Sequence, residues 1–248
     1  MRCIISLLMI ALYCSAAFGT TESIVVATNS GTILTEDNGN LVRPIASISK
    51  LLIAVLASKQ DLDEMLIVPK KRTVHSIIPV NQHTMSRKSL LTLSLVKSDN
   101  FAAQIICDNL ENCILEANKL ATDIGMRDTN LVEPTGLSKE NVSTANDLLK
   151  LLIVAANDET ISNLSKMPFA EIQAGKSKLK IQNTNPLTKT LDVILSKTGF
   201  TNPAGGCMVL VVNSELGKKF FILLGSKNTR TRVTEMNKLY KDYIVFYD

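Results

Sequence analysis

The sequence predicts an α+β fold: a five-stranded antiparallel sheet with flanking helices, set beside a helical lobe. Apolar strand-like runs lie near both ends of the chain, the middle third is patterned at helical spacing, and an amphipathic stretch closes it. The two N-terminal strands must rejoin the three C-terminal ones in one sheet, because a two-stranded ribbon alone is marginal. The helical middle then forms a second lobe, with a cleft between the lobes.

Taken in order, residues 22–27 read as a strand, Asn29-Ser30-Gly31 as a turn and residues 32–35 as a second strand. Ile48, Leu51, Leu52, Val55 and Leu56 recur at helical spacing, after a break at Pro44. Residues 61–86 read as loops with short strands. A helix over 87–96 ends at the polar run Lys97-Ser98-Asp99-Asn100, and helices follow over 101–110 and 114–124, the latter closed by Gly125. Glu133-Pro134-Thr135-Gly136 is a rigid turn. Thr144 and Asp147 suggest a capping box opening a helix through Leu148, Leu151, Leu152 and Ala155. Strands are expected at 190–198, 207–212 and 219–224, the last two joined by a turn over 213–217. Residues 229–244 read as a helix with Val233, Met236, Leu239, Tyr243 and Ile244 on one side.

The 248 residues suffice for a sizeable core, and 46% hydrophobic content fits a globular protein. The net charge of +4 comes from scattered Lys and Arg, with no Trp and 4% aromatics, which argues against nucleic-acid binding. Residues 1–19 read as a secretory signal: Arg2, an apolar run over 4–14, and small residues at Ala17 and Gly19. A mature domain over 20–248 is expected, periplasmic and without a stable membrane anchor. It divides into a sheet lobe at about 20–45 and 190–248 and a helical lobe at about 46–189. His75 and His83 are not at metal-ligand spacing, so no metal is expected. Cys107 and Cys113 are too far apart to bridge within one helix, but residues 108–112 look like a break, which leaves both a bridge and free thiols open. Cys207, in an apolar run, reads as a buried small hydrophobe.

Ser47 and Lys50 share a helix face, so the hydroxyl and the amine can meet. A serine hydroxyl attacks only when a base takes its proton, and Lys50 is that base only when neutral. A free lysine titrates near ~10.4, so a second cation is expected nearby to discourage its protonation. Ser-x-x-Lys alone is unspecific: Ser94 and Lys97 repeat the spacing inside a helical run.

Two more polar clusters complete the pattern: Ser98-Asp99-Asn100 and Lys197-Thr198-Gly199. This trio, in this order, marks penicillin-binding proteins and class A β-lactamases. With segments 46–51, 86–88, 132–138, 141–145 and 196–207, the chain resembles the low-molecular-mass penicillin-binding proteins of the D-alanyl-D-alanine peptidase family. It is most similar to their murein DD-endopeptidase branch, over residues 22–245. Residues 168–190 match poorly. The resemblance implies a β-lactamase/DD-peptidase-like fold and a serine hydrolase without cofactor. Its partners would be peptidoglycan peptide stems as substrate and β-lactams as covalent inhibitors.

It also implies roles. Ser47 attacks a D-Ala carbonyl, Lys50 takes its proton, Ser98 relays a proton to the leaving amine, and Asn100 orients Lys50. Lys197 is the second cation and, with Thr198, binds the substrate's carboxylate end. Gly199 lets the substrate backbone approach, and the N–H groups of Ser47 and Phe200 form the oxyanion hole. Asp99 and Glu133 are expected to be structural. A D-alanyl-D-alanine carboxypeptidase, a serine β-lactamase and a non-catalytic β-lactam- or murein-binding module remain as alternatives.

Overall fold

A sheet that is apolar on both faces needs cover on both sides, and the order of elements supplies it. The computed structural model describes residues 21–72, 74–174 and 177–244. The expected signal segment 1–19 lies outside them. β1 (Ser23–Thr28) and β2 (Ile33–Asp37) form the first hairpin, and β3 (Arg43–Pro44) leads through a 3-10 turn, Ala46–Ser49, into α1 (Lys50–Ala57). β4 (Met65–Ile67) and β5 (Thr84–Ser86) pair, and α2 (Arg87–Thr92) runs on into a π-helical turn, Leu93–Lys97. There follow α3 (Asn100–Asp108), α4 (Cys113–Asp123), β6 (Val142–Ser143), which pairs with β3, α5 (Ala145–Ala155) and α6 (Glu159–Ser165). A hairpin of β7 (Phe169–Ala174) and β8 (Ser177–Gln182) precedes a 3-10 turn, Pro186–Lys189. β9 (Val193–Thr201), β10 (Gly205–Ser214), β11 (Gly217–Ser226) and α7 (Thr229–Ile244) complete the chain.

The five-stranded antiparallel sheet runs β2-β1-β11-β10-β9, so the first two strands do rejoin the last three. Side chains alternate between its faces. Val25, Ala27, Val209, Val211, Phe220 and Ile222 face the helical side, where they join α1, α3 and α5 in the larger core. Ile24, Val26, Met208, Leu210, Phe221 and Leu223 face the other way and are covered by Met236 and Leu239 of α7. α1 is buried almost all round, which is why its sequence is apolar almost throughout.

Several expectations are revised. β9 begins at Val193 and continues past Gly199 to Thr201. β10 and β11 run to Ser214 and from Gly217, leaving a turn of Glu215 and Leu216. Thr144 caps α5 by accepting from Asp147 N at 3.0 Å, but the Asp147 carboxylate turns away to Asp128 N and the Thr129 hydroxyl, so the box is not reciprocal. The hairpin β7–β8 falls where strands were not expected. Cys107 and Cys113 are bridged, with 5.4 Å between their Cα atoms, across the break between α3 and α4. Cys207 is a buried free thiol.

Candidate active site

Three elements converge: the 3-10 turn opening α1, the turn before α3, and β9 at the sheet edge. Ser47 sits in the 3-10 turn, half-buried, and Lys50 is fully buried one turn on. The Lys50 amine makes three contacts: Ser47 Oγ at 2.8 Å, Asn100 Oδ1 at 2.8 Å, and the Thr135 carbonyl. Asn100 Oδ1 and the Thr135 carbonyl are pure acceptors. A neutral amine has two N–H bonds and one lone pair. Once the two acceptors take the N–H bonds, the lone pair is free to accept the proton of the Ser47 hydroxyl, which also lies 3.2 Å from the Thr135 carbonyl. Chemically, that arrangement suits a nucleophile and its base.

Burial pushes the Lys50 pKa from its ordinary 10.5 down to about 7, against the opposing negative charges of Glu133 and Asp99. The expected second cation is Lys197, but the leading cause at Lys50 is desolvation rather than repulsion. Lys197 is itself held well below the usual range, first by burial, then by the positive charges of Lys50 and Arg232. Two ammonium groups in one water-poor site cannot both keep a proton cheaply.

Ser98 stands in the left-handed region, with φ 59, between the π-helical turn and α3. That bend brings its hydroxyl 2.7 Å from Lys197 Nζ, which also donates to the Thr198 carbonyl at 2.8 Å. Asp99 caps α3 by accepting from Ala102 N and also holds Ser76 Oγ and Ile77 N, each at 2.9 Å, so its work is structural. By contrast, the alternative pair is split: Ser94 is buried and Lys97 exposed.

Thr198 Oγ1 lies 2.6 Å from Thr184 Oγ1, and Phe200 is 44% exposed. A Cβ on Gly199 would lie 2.9 Å from both Ala46 Cβ and Ser47 N. The glycine is therefore required by the contact between β9 and the Ser47 turn, a reason independent of the substrate approach expected of it. The same contact brings the β9 backbone at Gly199 against the main-chain amide of Ser47.

Sequence reasoning missed the contribution of the Glu133 turn, because it is made by a main-chain carbonyl. Glu133 accepts from Thr135 N, Thr135 Oγ1, Gly136 N and Ser138 N, and these bonds hold its carboxyl below the usual range although burial pushes it up. The folded turn presents Thr135 O to Lys50. Gly136, at φ 82, leaves room for Ala46, whose oxygen a Cβ would meet at 2.1 Å. Arg232 was also missed: it reads as one more polar residue of α7, yet it is buried and donates to Gly199 O at 2.6 Å.

The profile of the D-alanyl-D-alanine carboxypeptidase family matches residues 15–222. The D-alanyl-D-alanine endopeptidase of Pseudomonas aeruginosa is 40% identical over 204 residues, 76% of this chain and 66% of that protein. Its Escherichia coli counterpart is 39% identical over 211 residues, 78% of this chain and 68% of that protein. This chain thus spans about two thirds of the length of these relatives. Penicillin-binding protein D2 from Listeria monocytogenes, in its ampicillin-bound form, superposes with a TM-score of 0.80 at 27% identity, over 89% of this chain and 96% of that one. The chain belongs to the D-alanyl-D-alanine carboxypeptidase family.

Proposed function

We propose that this chain is a serine DD-peptidase of peptidoglycan, and specifically a murein DD-endopeptidase that cuts D-Ala cross-links. The observation that carries the chemistry is the Lys50 amine, held by two acceptors and facing Ser47 Oγ at 2.8 Å. Ser47 Oγ bonds to the D-Ala carbonyl carbon and its proton passes to Lys50. The carbonyl electron pair moves onto oxygen, facing the N–H groups of Ser47 and Phe200. Collapse breaks the C–N bond, and Ser98, beside Lys197, relays a proton to the departing amine. Water then hydrolyses the ester and restores Ser47. Lys197 and Thr198 bind the carboxylate end of the substrate.

The endopeptidase assignment rests on relatives of that name at 40% and 39% identity. β-Lactams would be covalent inhibitors, as substrate mimics that acylate Ser47. Export through residues 1–19, a periplasmic site of action and the lobe boundaries at about 46 and 189 belong to the same proposal. No helix among the described residues is long and apolar enough to cross a membrane.

Digestion of purified cross-linked muropeptides, resolved by mass, tests the reading. Dimers should become monomers with wild type and stay intact with Ser47→Ala. Loss of a single D-Ala from pentapeptides, with dimers untouched, would make the enzyme a carboxypeptidase. Fast penicillin turnover without muropeptide products would make it a β-lactamase. No product with either protein, but penicillin retained by Ser47→Ala, would make it a binding module.

A further inference from the structure

Arg232 stands on the first turn of α7, a helix that otherwise covers the far face of the sheet. Its side chain is buried and reaches the edge strand β9, where Nη1 donates to the Gly199 carbonyl at 2.6 Å. The path is kept open by a missing side chain: a Cβ on Gly206 would lie 3.1 Å from Arg232 Cβ. The base of α7 is fixed too. Asn228 Oδ1 accepts from Arg230 N and Thr231 N at 2.9 Å, and Arg232 N donates to Asn228 O at 3.1 Å.

The Gly199 carbonyl belongs to the same peptide plane as the Phe200 N–H. There are no cis peptide bonds among the described residues, so the two groups point in opposite directions across one rigid unit. β9 is the last strand of the sheet, and among the described residues no strand lies beyond its outer edge. A guanidinium that fixes where the carbonyl points therefore fixes where the amide points. The charge-assisted bond also polarises that peptide, which makes its N–H a better donor.

We propose that Arg232 is a positioning residue for acyl transfer: by gripping the Gly199 carbonyl it aims the Phe200 N–H at the oxyanion formed when Ser47 attacks. The inference rests on the acyl-transfer reading of Ser47 and adds a residue that touches neither substrate nor reacting atoms.

The test compares an N-acyl-D-Ala ester with its thiono analogue, in which C=S replaces the attacked C=O. Sulfur is larger and a weaker acceptor, so an aligned pair of donors favours oxygen. In Arg232→Met, ester acylation should fall by roughly 10–100-fold, less than or comparable to the loss of a whole donor. The oxygen-over-sulfur rate ratio should fall several-fold with it. A purely structural role lowers the amount of active enzyme and so slows both substrates equally, leaving the ratio unchanged. Arg232→Lys keeps a cation and one donor, and its ratio should lie between those of wild type and Arg232→Met. If Arg232→Met does not fold, Arg232→Lys decides alone. A wild-type ratio in either folded variant overturns the role of Arg232 while leaving the Ser47 mechanism standing. A wild-type enzyme that neither ester nor penicillin acylates removes both.

Discussion

Lys50 Nζ lies 2.8 Å from Asn100 Oδ1, although fifty positions separate the two residues. The contact fixes the direction of the amine lone pair, and burial sets when that lone pair is free. With the Lys50 pKa near about 7, the penicillin acylation rate should rise with pH through that value and then level off. Stopped-flow labelling across pH 5–9 with a fluorescent penicillin would show the limb. Stability has its own sign. Between about 7 and 10.5 the unfolded lysine holds a proton that the folded one has lost. Stability attributable to this group therefore falls as pH drops through that window and is lowest below about 7. Lys50→Met should remove both dependences and abolish acylation.

Glu133 offers a sharper check on the same base. Its negative charge raises the Lys50 pKa, so neutralising it should do the reverse. Glu133→Gln should shift the acid limb of the acylation profile to lower pH than wild type. Its bonds to Thr135, Gly136 and Ser138 also fold the turn, so the unfolding free energy from urea melts should drop by about 1–2 kcal/mol for a weakened charge-assisted network. The acyl-enzyme lifetime should stay within a few-fold of wild type, because this carboxylate is occupied with its own turn. A lifetime lengthened a hundred-fold would give Glu133 a deacylating role instead.

Two glycines separate packing from chemistry. Gly136→Ala would force a Cβ to 2.1 Å from Ala46 O, at φ 82, so both backbone strain and a backbone clash oppose it. Strain of this kind costs on the order of 1–3 kcal/mol before the clash is counted. Denaturant melts should show at least that loss, with acylation falling in parallel. Gly199→Ala meets Ala46 Cβ and Ser47 N at 2.9 Å without a positive φ. It should cost less stability and, on the proposed acyl-transfer reading, still suppress acylation severely, because it pushes β9 off the Ser47 turn.

What could be read from the sequence depended on how local each signal was. Ser47 and Lys50 share one helical turn, so their meeting was predictable from spacing. The motifs at 98–100 and 197–199 were identifiable as a set, but their convergence needed the fold. Thr135 was invisible because a main-chain carbonyl carries no residue signature. Arg232 was hidden in a polar helix, where its burial comes only from the sheet beneath. The β7–β8 hairpin did alternate, with Ile172 and Ala174 on one strand and Ile181 on the other turned inward. Small and charged neighbours diluted that pattern.

The two ends of α3 give the last contrast. At its C-terminal end the Cys107–Cys113 bridge closes a separation of six residues. A loop that short is worth about 2 kcal/mol in the chain-entropy account. At its N-terminal end Asp99 caps the helix at Ala102 N and ties down Ser76 and Ile77, next to Asn100. Losing a cap costs about 1 kcal/mol, and the orphaned donors at Ser76 and Ile77 add to it. Cys107→Ser with Cys113→Ser and Asp99→Ala should therefore destabilise the protein by similar amounts. Their effects on catalysis should diverge. The cysteine pair lies two turns from Asn100, so penicillin acylation should stay within a few-fold of wild type. Asp99→Ala loosens the residue that holds Lys50, so acylation should drop at least ten-fold in protein that melts no lower than the cysteine variant. Equal acylation in the two variants would mean that the start of α3 is held by its packing alone, with the cap contributing nothing to the alignment of the base.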